Sequence, residues 1–78
     1  MAVKSFIKGD VYVADWGFQA KDAAGKLTGI PQGARLIHVG QTPSDSKRYR
    51  FRRLVGDEQQ TVDLLTETAY SSLKSAPA

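Results

Sequence analysis

A chain of 78 residues makes one domain, and at that size folding buries only about 60 to 65% of the surface the unfolded form exposes, so the core is small. It has no cysteine, which excludes disulfide staples and thiolate metal sites. Eleven Lys and Arg against eight Asp and Glu give a net charge of +3. Five of those eleven (Lys47, Arg48, Arg50, Arg52 and Arg53) stand together, leaving six basic against eight acidic residues elsewhere. The basic character is therefore local, and a local patch points to an anionic partner better than a diffuse excess does. The stretch Met1 to Lys8 has no apolar h-region, and the 78 residues contain no long apolar run. Neither a signal peptide nor a membrane span is expected, and a cytoplasmic location is.

Along the chain, residues 1–4 read as a loose start. Ser5 to Phe18 reads as a strand broken at Gly9-Asp10, with Val11 and Val13 on one face and Tyr12, Ala14, Trp16 and Phe18 on the other. Asp22-Ala23-Ala24-Gly25 has the composition of a tight turn, because Asp bonds its own backbone and Gly supplies a positive φ. Lys26-Leu27-Thr28 begins the return arm of a long, irregular hairpin. Ile30-Pro31-Gln32-Gly33 is a second turn. Ala34 to Gly40 is a short apolar strand centred on Leu36-Ile37-His38-Val39, and Gln41 to Ser46 is a polar loop.

The stretch Lys47 to Val55 alternates most regularly. Tyr49, Phe51, Arg53 and Val55 face one way, and Arg48, Arg50 and Arg52 the other, with Leu54 at the end. This is the pattern of a half-buried strand with aromatics in a core and guanidiniums in water. Gly56-Asp57-Glu58 is a hairpin turn, and Gln59 to Leu65 is its partner strand. Thr66 to Leu73 reads as a short helix capped by Thr66, or as a 3₁₀ turn followed by a closing strand. Ser75-Ala76-Pro77-Ala78 reads as a frayed tail.

Strands dominate, and Gly or Pro punctuates the connections. The expected fold is mainly β: a small antiparallel barrel of about five strands with a short C-terminal helical turn, one domain over 1–78 with an ordered core of roughly 5–73. In its order of a long hairpin, a short strand, a polar loop, a tight hairpin, a helical turn and a closing segment, the layout resembles SH3-like barrels, with an OB-like or ubiquitin-like arrangement as the alternative. Type II dihydrofolate reductases are SH3-like chains of this length. Their Val-Gln-Ile-Tyr motif is not present here, and the nearest stretch, Gln60-Thr61-Val62-Asp63-Leu64, lacks the aromatic.

For function, Arg48, Arg50 and Arg52 would project about 6.5 to 7 Å apart on one face, close to the phosphate repeat of a nucleic-acid strand, with Lys47 and Arg53 widening the patch. The alternative for these residues is a solvated face with cross-strand partners, Asp63 or Glu67. Trp16 and Phe18, with Tyr12, offer either an aromatic platform for bases or peptide, or core. His38 is the only histidine and reads as a structural, hydrogen-bonded residue, since nothing marks a nucleophile and orienting acid beside it. No acidic pair has metal-ligand spacing. The expectation is a non-catalytic binding protein without cofactor, docking on a polyanion through strand 47–53. Nucleic acid is the first partner class. The alternative is a protein-interaction module or inhibitor, of the mobile-element or phage kind, that covers an acidic protein surface. A homo-oligomer buried on the aromatic face is a third arrangement.

Overall fold

The computed structural model describes residues 5–43, 45–55 and 57–76. The expected loose start at 1–4, Ser44 of the polar loop, Gly56 of the hairpin turn and the last two residues of the tail lie outside the described residues.

The fold is mainly antiparallel β, a sheet curled into a half-barrel with one short helix. Its elements are β1 (Val11–Ala14), β2 (Phe18–Asp22), β3 (Leu27–Ile30), β4 (Arg35–Gln41), β5 (Arg48–Val55), β6 (Glu58–Leu65), α1 (Thr66–Ser72) and β7 (Leu73–Ser75). Their order across the sheet is β3-β2-β6-β5-β4-β1-β7. Strands β5 and β6 are the longest and form its centre, pairing from Val55↔Glu58 to Arg48↔Leu65.

Seven strands are present among the described residues, rather than about five. Two local effects account for the difference. The first arm of the long hairpin does not run through to Phe18. It bends over Asp15-Trp16-Gly17, where the Asp15 amide leaves the ladder to donate to the Ser72 carbonyl at 2.7 Å. The arm thus splits into β1, which pairs with β4 and β7, and β2, which pairs with β3 and β6. The second addition is β7, which forms because the chain leaves the helix extended, with Leu73 at φ −109 and ψ 148. Helix and closing strand are thus both present. Ser75, expected in the tail, pairs with Tyr12, and the Ala76 amide reaches the Val11 carbonyl at 3.2 Å.

The turns follow their composition. Asp22 Oδ1 accepts from the amides of Ala24 and Lys26, both at 2.9 Å, and Gly25 takes φ 85, where a side chain would be strained. Thr66 is not the helix cap. Leu65 holds that position because it is still paired with Arg48, so Thr66 enters as the first helical residue and no side chain caps the helix. Strand β4 carries a bulge. His38 pairs with Phe51 and Gly40 with Arg50, so Val39 is an extra residue without a rung of its own.

The core lies inside the curl. Phe51, Ile30, Leu36, Leu64 and Val62 are its largest fully buried side chains, closed by Ala69 of α1 and Leu73 of β7. Each large apolar side chain buried this way contributes about 1.5 to 3 kcal/mol. Phe6 packs on the cluster and contacts the rings of Tyr12, His38, Tyr49, Phe51 and Tyr70 at centroid distances of 4.8 to 5.7 Å.

Candidate functional site

Strand β5 brings the arginines together as its alternation requires, but they do not form a free row. Arg50 faces Asp63 of β6 across a rung. Its Nε donates to Asp63 Oδ1 at 2.9 Å and a terminal nitrogen donates to Oδ2 at 3.2 Å, a two-pronged pair. Asp63 is buried, and its hydrogen bonds raise the Arg50 pKa further above its ordinary value against the opposing effect of burial. Arg48 pairs with Asp45 at 3.3 Å, and a terminal nitrogen donates to the Asp63 carbonyl at 3.2 Å. The expected row of three unpaired guanidiniums is therefore corrected to one, Arg52. The acid is held against Arg50 because a polar residue on β6 lies directly opposite, the cross-strand arrangement that stabilises sheets.

The next rungs differ. Arg52 faces Thr61, is exposed, and has no carboxylate within ion-pair distance among the described residues. Arg53 faces Gln60, and its Nε donates to Gln60 Oε1 at 2.7 Å. No carboxylate neutralises Arg53 among the described residues. Both line a concavity of about 530 Å³ with Arg35 of β4 and an aliphatic floor of Val11 and Ile37, with Gln59 at its margin. Ile37 is 43% exposed. Val11, Ile37 and Arg52 form one row across three strands, since Val11 pairs with Ile37 and Ile37 with Arg52.

Arg35, Ile37 and Val11 were not among the residues expected at the site. The signal was present: Arg35 and Ile37 alternate with the buried Leu36 and His38, so period two sends them outward together. Reading β4 only as an apolar strand hides that Arg35 shares a face with Arg52.

Lys47 is exposed in the turn before β5. Its amide, not its side chain, bonds Asp45 Oδ1 at 3.0 Å. The aromatic platform does not form. Tyr12 is buried in the core with its hydroxyl accepting from the Ile7 amide at 2.7 Å, and Phe18 is half-buried against the core. Trp16 alone is outside, 51% exposed, its Nε1 donating to Ser72 Oγ at 3.1 Å beside the Lys74–Asp15 ion pair at 3.1 Å. Neither Trp16 nor Phe18 lines the concavity that holds Arg52 and Arg53.

His38 is buried among Phe6, Tyr49 and Phe51, and burial lowers its pKa while the Arg50 backbone opposes that shift. Nδ1 has no hydrogen-bond partner, and the expected hydrogen bond is the one to the Arg50 backbone. Among the described residues, no group of three or more acidic or imidazole side chains could hold a metal ion. No helix there is long and apolar enough to cross a membrane.

Comparison with protein-family models, with curated proteins and with solved structures finds no match, and the chemistry of the concavity carries the functional argument.

Proposed function

We propose that this chain is a non-catalytic binding protein that docks on an anionic macromolecule through the outer face of β1, β4 and β5. The observation that carries the reading is the convergence of Arg35, Arg52 and Arg53, none paired with a carboxylate among the described residues, on a floor of the half-buried Val11 and the exposed Ile37. Guanidiniums left without a neutralising carboxylate on a concave face attract carboxylates or phosphates from outside. Relative to the patch expected from 47–53, the site shifts one strand toward β4. Arg48 and Arg50 serve the sheet, and Trp16 and Phe18 lie elsewhere. The role requires no oxidising compartment and no cofactor, and we place it in the cytoplasm.

The test is a salt gradient on immobilised heparin, used as a generic polyanion. Wild type is expected to elute later than a variant carrying Arg35→Glu, Arg52→Glu and Arg53→Glu, with retention falling steeply as salt rises. Equal elution of the two proteins, both folded by circular dichroism, removes the site.

A further inference from the structure

Resting on that reading, we infer that the occupant of the concavity is an acidic polypeptide segment that presents an aliphatic side chain between carboxylates. Three features point to a polypeptide. The floor is β-branched aliphatic, formed by Val11 and Ile37, and no aromatic ring lines the concavity. A nucleobase gains most of its single-strand affinity by stacking on an aromatic face, and this site offers none. An aliphatic side chain, by contrast, gains from covering Ile37 and Val11 in proportion to the apolar area removed from water.

The second feature is spacing. A phosphate backbone needs cations along a line, and Arg48 and Arg50 on that line are already engaged by Asp45 and Asp63. The free guanidiniums instead surround a point. Arg52 lies one strand across from Ile37, about 4.8 Å away in the sheet, and Arg35 lies two residues along β4, about 6.5 to 7 Å away. A side chain seated on Ile37 would have its neighbours' carboxylates on either side, within reach of both arginines. The third feature is size. A half-open concavity of about 530 Å³ has room for one aliphatic side chain and its flanking carboxylates.

Fluorescence anisotropy with labelled probes at low salt tests this. The probes are the peptide Gly-Asp-Glu-Leu-Glu-Asp-Gly, the same peptide with Ser for Leu, and a single-stranded and a duplex oligonucleotide of matched charge. The Leu peptide is expected to bind at least about tenfold tighter than the Ser peptide and tighter than either oligonucleotide, the gain expected for burying one aliphatic side chain. Ile37→Ser, a change at an exposed position, is expected to erase the difference between the two peptides. The Ser-for-Leu probe makes the same test without altering the protein. Equal binding of the two peptides, or an oligonucleotide bound more tightly than the Leu peptide, overturns the inference and leaves polyanion docking standing. Binding of every probe unchanged by the triple Glu variant overturns both.

Discussion

The two halves of β5 carry the same residue type four positions apart and put it to opposite uses. Arg48 and Arg50 are tied to Asp45 and Asp63, whereas Arg52 and Arg53 face Thr61 and Gln60, which cannot neutralise them. The strand's own alternation does not distinguish the halves. The surroundings do, by placing Asp63 of β6 opposite Arg50 and Asp45 of the preceding loop beside Arg48, with neutral side chains opposite Arg52 and Arg53. An arginine on a sheet is a structural or a binding residue according to what stands across from it. One half fastens the β5–β6 hairpin, and the other remains available to a ligand.

The sharpest way to break the comparison is to remove the residue that sits between the halves and faces inward. Phe51→Ala should cost about 3 to 5 kcal/mol, because it empties the centre of the core. For a 78-residue chain that is a large part of a total of roughly 4 to 12 kcal/mol, so chemical denaturation should find the variant largely unfolded. Asp63→Ala acts on the fastened half only. It leaves a half-buried guanidinium without its carboxylate, and urea denaturation should show a loss of about 2 kcal/mol. Arg50→Ala in the same background should cost little more, so that a double-mutant cycle places the coupling on this pair.

A pH titration of stability sharpens the picture of the inward face. His38 has a lowered pKa in the folded chain, so the unfolded chain binds the proton more readily. Stability is then full above the ordinary imidazole value of about 6.5 and falls as pH drops through it toward the lower folded value. In His38→Phe this part of the slope should vanish, and a slope unchanged from wild type would show that another group is responsible. The smallest stability effect is expected in the free half. Arg52→Ala should change unfolding by less than about 0.5 kcal/mol while lowering retention on heparin. A stability loss as large as that of Asp63→Ala would mean that Arg52 is also a fastener.

Much of the fold was legible because its signals are local. Asp22-Ala23-Ala24-Gly25 and Ile30-Pro31-Gln32-Gly33 turn where their residues require, and the Tyr49/Phe51 alternation sends Phe51 into the core. The split of the first arm was not legible, since it depends on a carbonyl of Ser72, more than fifty positions away. Side-chain chemistry alone admits Trp16 as core or as platform, and that same bend leaves it outside and away from the arginines of the concavity. Half of the site could be read in β5. Asp63 was visible as a partner for the arginines, but which of them it takes depends on register, and the register follows from the length of the hairpin turn. Arg35 could be found only by asking which strand lies beside β5, a question of topology rather than composition.

Val39 supplies length more than chemistry. Because it is a surplus unit in β4, its two neighbours already meet consecutive partners, His38 on Phe51 and Gly40 on Arg50. A library that varies its side chain should recover many folded members. Deleting its codon would join those neighbours directly and leave Gln41 on Tyr49, straightening the strand without moving the loop that carries Asp45. Losing this one residue would cost the strand its local bend and leave the pairing on both sides as it stands.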